Sequence, residues 1–268
     1  MEYLDQAAFW YAFGAAELTG IILVIWMGYW RGVLHDGFAW EGDSKKQFNW
    51  HPFLITIGLL FFYGNGMMIY RVFRNAQKKT LKVLHAAIML ASFLLMTIAL
   101  KAVFNSNNYN NYDSNGKKLK KGVFYPLPNM NTLHSWMGII TALLFTMQWV
   151  VGFTMFLAPI TIAANIKAFY LSIHHWFGLF IFALVCATVL TGVSEEELYR
   201  KFDQREDLEG VMMNITSLLV IIFGCLIIFL SVYNKYKRMP LPEEKVPIFN
   251  VNKTSDQIKD VTLPKEVK

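Results

Sequence analysis

The sequence predicts an all-α integral membrane protein with six spans, and three observations carry that expectation. Hydrophobic residues fill 55% of the 268 positions and charged residues only 16%, whereas a soluble domain carries about a quarter charged residues. Apolar runs long enough to cross roughly 30 Å of hydrocarbon recur along the chain. Trp and Tyr gather at the edges of those runs, as in interfacial belts. The net charge of +6 does not describe a nucleic-acid surface, because the basic residues sit between the spans, and no nucleic-acid partner is expected.

Taken in order, the first span covers about residues 8–30. It follows Glu2 and Asp5, lacks a basic leader and is too long and aromatic for a signal peptide; Glu17 lies midway along it. The second, about 50–72, follows a polar loop at 31–49 and opens with His51. The third, about 82–104, follows the short loop 73–81 and carries His85 near its start. The fourth, about 132–157, follows the polar loop 105–131 and begins with His134. The fifth, about 169–192, follows the short loop 158–168 and carries His174, His175 and Cys186. The sixth, about 212–233, follows the loop 193–211 and carries Cys225. The tail, 237–268, is polar, contains Pro240, Pro242, Pro247 and Pro264, and is expected to be disordered. Both cysteines lie inside spans, so neither a disulfide framework nor a covalent haem-attachment motif exists. Continuous apolar runs of this length cross lipid as helices.

An even number of spans puts both termini on one side. Lys and Arg are divided almost equally between the two sets of loops, so the positive-inside rule nearly ties. The stretch from Ser44 to Tyr112 contains no acidic residue, and on that ground the termini and short loops are placed in the cytoplasm. The N-x-T sequons at Asn214 and Asn252 do not settle the orientation.

Ionisable groups within spans are costly and call for a function. Spans two and four start on the long-loop side, so His51 and His134 share one leaflet. Spans three and five start on the opposite side, so His85 shares that leaflet with His174 or His175. Adjacent residues on a helix point about 100° apart, so only one of that last pair can face His85. Two histidine pairs from alternate helices of a bundle suit bis-histidine ligation of two non-covalent haems b, with no open iron position and therefore electron transfer as the chemistry. Gly58, Gly138 and Gly178 offer room for a porphyrin edge. The alternative is a histidine-lined proton or metal-ion path without haem; acidic and cysteine co-ligands are scarce in the spans, Glu17 being the exception.

The segments FNWHP (48–52), GNGMMIYRVFRNAQKKTLKVLHA (64–86) and TLHSWMG (132–138) resemble the cytochrome b561 family of trans-membrane ascorbate-dependent oxidoreductases, and the resemblance runs from about Tyr29 to Tyr236. It implies six helices, with helices 2–5 forming a four-helix bundle around two haems b, and a homodimer. The implied ligand pairs are His51 with His134 and His85 with His174, the latter placed four residues before Gly178. Cytoplasmic ascorbate is the implied donor, bound by Arg71, Lys78 or Lys79, Lys82, and Lys167, which stands where the family has Arg. The implied acceptor on the other face is monodehydroascorbate or a ferric chelate. There the chain departs from the family: Asn107 replaces a His, Asn131 replaces a Tyr, and residues 108–126 form an insertion rich in Asn and Lys. Asn214 matches a family Asn, and His35 matches a loop His of the ferric-reductase type. The membrane implied is the plasma membrane or a secretory or endolysosomal vesicle.

Overall fold

A computed structural model describes residues 3–199 and 206–242. Six helices in it are long and apolar enough to cross a bilayer: Asp5–Leu34, Ser44–Val72, Lys78–Asn108, Leu133–Phe156, Ala164–Leu198 and Leu208–Val232. Among the described residues the only β-pairing is an isolated bridge between Tyr112 and Lys118. The all-α, six-span architecture is therefore the one expected.

Several helices outrun their apolar runs. The first continues from Tyr29 through a π-helical turn, Trp30–Leu34. The second begins at Ser44, where the Asp43 carboxylate accepts the Lys46 amide at 3.2 Å and caps the helix. The fifth extends from Ala164 to Tyr199. The long loops are correspondingly shorter than the expected 31–49 and 193–211. Hydropathy marks only the hydrocarbon slab, whereas helical hydrogen bonding continues into the interface, where charged side chains meet water. The compact unit ends at Lys237, and the expected disordered tail lies from residue 243 onward outside the described residues.

The second span is not a regular α-helix. Thr56–Phe62 is π-helical, and it follows Pro52, whose carbonyl accepts the Thr56 hydroxyl at 2.8 Å. Such a wide turn changes which face the following residues present, and it separates the part of the span bearing His51 from the part bearing Tyr63 and Gly66.

Spans two to five close a four-helix ring. The second packs on the third, the third on the fourth, the fourth on the fifth, and the fifth returns to the π-helical stretch of the second. The first and sixth pack against each other and cover one side of the ring. Their outer ends meet where Lys235 donates to Asp5 at 3.3 Å. At mid-height Tyr63 lies 5.0 Å from Phe145 and 5.5 Å from Phe182, ring centre to ring centre, and its hydroxyl donates to the Gly178 carbonyl at 2.8 Å. Exposed Leu94, Ile98, Val150 and Phe180 give the bundle its lipid-facing surface.

One charged pair ties the long-loop end together. Arg31, only 2% exposed, donates from Nη1 to Glu196 Oε1 at 2.8 Å and from Nη2 to Oε2, a bidentate fork. Its guanidinium also lies 4.2 Å from the Trp30 ring centre. Asn49 donates to the carbonyls of His35 at 2.8 Å and Gly37 at 2.7 Å, which closes the first loop beneath it. Removing one member of a buried pair strands the other charge. Glu196→Ala is expected to lower stability by about 3 kcal/mol, read as thermal unfolding in detergent, and the Arg31→Met/Glu196→Leu double variant is expected to regain most of the loss.

Candidate functional site

The four histidines paired by parity converge in two places. At the long-loop end, the ring centres of His51 and His134 are 6.1 Å apart with planes crossed at 79°. The direction of His134 is set by its neighbours. Thr132 caps the fourth span, accepting the Ser135 amide at 3.2 Å, while Ser135 Oγ accepts the Thr132 amide at 3.0 Å. This reciprocal box starts the helix one residue before His134. The His134 Nδ1 donates to the Thr188 carbonyl at 2.9 Å, and His51 Nδ1 reaches the Ala99 carbonyl at 3.3 Å.

At the other end His85 and His174 have ring centres 6.2 Å apart, crossed at 74°. His85 Nδ1 donates to the Gly66 carbonyl at 2.8 Å. Of the two neighbours, His174 faces His85, while His175 is exposed beside Trp176. Phe156 and Tyr170 flank the His174 ring at 5.6 and 5.8 Å, and the His174 carbonyl accepts from Gln148 at 2.6 Å.

A carbonyl only accepts, so in three of the four rings Nδ1 must carry the proton and Nε2 holds a free lone pair. That is the state of a metal-ligating imidazole oriented by its second nitrogen. Two imidazoles bound trans to one metal, at about 2.0 Å per nitrogen, have ring centres roughly 6.3 Å apart. Both observed separations therefore fit one iron between each pair. His51 and His134 also line a cavity whose largely apolar walls include Met96, Leu100, Phe104 and Val185, the kind of lining a cofactor site shows. The residues present fit b-type haem.

Two glycines seat the rings, and hydropathy gave no sign of them. A Cβ at Gly192 would lie 2.7 Å from the His134 ring, and one at Gly152 2.8 Å from the His174 ring. Of the glycines singled out from sequence, Gly138 lines the cavity shared by His51 and His134, Gly58 admits Leu95 of the third span, and Gly178 faces Gln148.

The candidate donor residues lie at the short-loop end. Lys82 is one helical turn from His85 and within electrostatic range of Lys78 and Lys167; Lys78 and Lys79 are exposed. Arg71 stands apart from them. Its guanidinium is buried, and it donates to the Tyr233 carbonyl at 2.9 Å and to the Ser231 carbonyl, so that it caps the last span.

At the long-loop end Asn107 forms part of the cavity wall and donates to Asn129 at 3.0 Å. His35 is not in that cavity. It follows the π-helical turn, donates its amide to the Trp30 carbonyl at 3.1 Å, and brings Nε2 to 3.4 Å from Glu209. Burial pushes its pKa down and Arg31 adds to this, against the opposing pull of Glu196, Glu209 and Asp36, so the ring is neutral at pH 7. Asn214 lies exposed on the last span. The Arg31–Glu196 fork was the feature of this end that the sequence left unmarked.

The model of eukaryotic cytochrome b561 matches residues 50–200 of the chain. A transmembrane ascorbate-dependent reductase of Homo sapiens is 36% identical over 233 residues, covering 86% of this chain and 85% of the relative. The Bos taurus protein of the same description is 37% identical over 86% and 84%. A lysosomal membrane ascorbate-dependent ferrireductase of Danio rerio is 34% identical over 242 residues, 87% of this chain and 91% of the relative.

Each glycine seat can be tested separately. Gly192→Ala is expected to displace the His134 ring and halve the haem bound per chain, measured as pyridine haemochrome; Gly152→Ala is expected to do the same at the His174 end. Full haem content in both variants would show that the rings do not need these seats.

Proposed function

Because the chain belongs to the eukaryotic cytochrome b561 family, we propose that it is an ascorbate-dependent trans-membrane oxidoreductase, passing single electrons from ascorbate at the short-loop face through two haems b to an acceptor at the long-loop face. The observation that carries this reading is the pair of histidine clamps, each spaced for one six-coordinate iron. His51 with His134 would hold one haem and His85 with His174 the other. Haem bound there would supply one-electron chemistry, which suits electron transfer.

The clamps lie at opposite ends of the ring. His51 and Gly66, whose carbonyl meets His85, belong to one span and are about 22 Å apart along it at 1.5 Å per residue. The packed rings of Tyr63, Phe145 and Phe182 fill the interval and keep water out.

At the short-loop face Lys78, Lys79, Lys82 and Lys167 form a cationic rim beside His85. Such a rim raises the local concentration of an anionic donor, and ascorbate is a monoanion at neutral pH. Arg71 contributes by holding the end of the last span in place, since both of its terminal nitrogens are engaged by carbonyls. With that face in the cytoplasm, the acceptor is monodehydroascorbate or a ferric chelate outside the cytoplasm. The Danio rerio relative, a ferrireductase by description, supports the second. A homodimer in a plasma, secretory or endolysosomal membrane completes the proposal.

Two variants test it. His134→Ala is expected to lose one of two haems while the remaining one is still reduced by ascorbate; retention of both would break the pairing. Lys82→Ala is expected to slow reduction by ascorbate about three- to tenfold, in line with loss of one steering charge, and to leave reduction by dithionite unchanged. Equal slowing with both reductants would remove the donor site from this face.

A further inference from the structure

We propose that the lysine-bearing loop between the third and fourth spans is an electrostatic receiving site for a polyanionic ferric chelate, iron wrapped in polycarboxylate. The proposal rests on the reading above and narrows its acceptor.

The loop stands on the rim of the cavity that His51 and His134 share. Its two legs begin with Asn107 and end with Asn129 and Met130, all three of which line that cavity. The legs are fastened to each other. Asn107 donates to Asn129 at 3.0 Å, Asn129 donates to Asn108 at 2.7 Å, and the Leu127 amide donates to the Asn107 carbonyl at 2.9 Å. Higher up, the Tyr125 amide donates to the Asn110 carbonyl at 2.8 Å. The base of the loop is therefore closed at the edge of the cavity.

The shape of the tip is also built. Gly116 and Gly122 take φ values of +76° and +85°, which other residues rarely adopt, and the Tyr112–Lys118 bridge joins its sides. Of the nearby acids, Asp113 and Asp43 are engaged within the fold, while Glu41, next to the Asn111–Gly42 contact, is exposed. Asp113 accepts the amides of Asn115 and Lys117, both at 2.9 Å. Asp43 accepts the Tyr112 hydroxyl and the Lys118 ammonium, both at 2.8 Å, so it latches the insertion to the first loop. The outward charge is predominantly positive: Lys117, Lys120 and Lys121 are exposed, and Lys45 adds its ammonium above the Tyr112 ring at 4.3 Å.

Steering energy scales with the product of the charges. A singly charged radical gains little from several lysines, whereas a multiply charged chelate gains several times more. Cationic clefts beside low-dielectric walls raise encounter rates by about 10- to 1,000-fold, and salt removes the advantage. An insertion that mounts lysines on the rim of the acceptor-side cavity is thus matched to a bulky polyanion that delivers iron to the opening.

The test uses the full-length protein in nanodiscs of neutral phosphatidylcholine, which excludes anionic lipid as the ligand of these lysines. The Lys117→Gln/Lys120→Gln/Lys121→Gln variant is compared with the parent, and the Lys→Arg triple variant is the rescue. Dithionite-reduced protein is mixed with ferric citrate or with the cation hexaammineruthenium(III), and binding of redox-inert gallium(III) citrate is measured separately by calorimetry. The Gln variant is expected to be reoxidised by ferric citrate about tenfold more slowly, with little salt dependence, and to bind gallium citrate about tenfold more weakly. Reoxidation by the cation is expected to be unchanged or faster, and the Arg variant is expected to behave as the parent. Unaltered ferric citrate kinetics and gallium citrate binding would overturn the proposal, leaving the lysines a solvated face. Equal slowing with both acceptors would also overturn it, as a structural effect of the loop. Failure of ascorbate to reduce the parent, with gallium citrate binding lost only in the Gln variant, would overturn the donor reading alone.

Discussion

The hydrogen bond from a histidine Nδ1 on one span to a backbone carbonyl on its neighbour is the contact on which the rest of the site depends. Helices in lipid gain little from burying apolar surface against each other, so close packing and interhelical hydrogen bonds must hold them. A helical carbonyl keeps a second lone pair after its own helix is satisfied, and these histidines use it. His51 reaches from the second span to Ala99 on the third, His85 from the third to Gly66 on the second, and His134 from the fourth to Thr188 on the fifth. The Nδ1 bonds therefore join two to three and four to five. The ring pairs join two to four and three to five. Three of these side chains thus tie neighbouring helices, and each bond also selects the tautomer that leaves Nε2 able to ligate.

The two ends of the bundle differ in how they meet water. At the short-loop end the His85–His174 pair lies under exposed lysines with little covering structure. At the long-loop end the His51–His134 cavity is overlaid by two interlocked loops, joined through Asp43, Tyr112, Lys118, Ser44, Asn110 and Asn111.

The arginines show how burial changes the meaning of a charged residue. Arg31 and Arg71 both sit at helix ends, and both have their terminal nitrogens consumed, one by the Glu196 carboxylate and the other by the carbonyls of Ser231 and Tyr233. A buried guanidinium turned toward the fold steers ligands less than an exposed lysine does, although its charge counts equally in any sum over the sequence.

Much of this architecture was legible without coordinates. Six spans follow from the thickness of the hydrocarbon slab, and the histidine pairing follows from counting which ends of helices share a leaflet, because a chain that crosses six times has no freedom in that parity. The choice of His174 over His175 was reached only by resemblance, since a rotation of about 100° between neighbours cannot be anchored until the helix is packed. Tertiary structure alone decided the rest: the π-helical stretch at Thr56–Phe62, the ring seats at Gly192 and Gly152, the enclosure of Arg71, and the latch of the 108–126 insertion on Asp43. Each of these depends on which atoms from distant parts of the chain come within 3 or 4 Å. Hydropathy and periodicity, being properties of one segment at a time, carry no information about such distances.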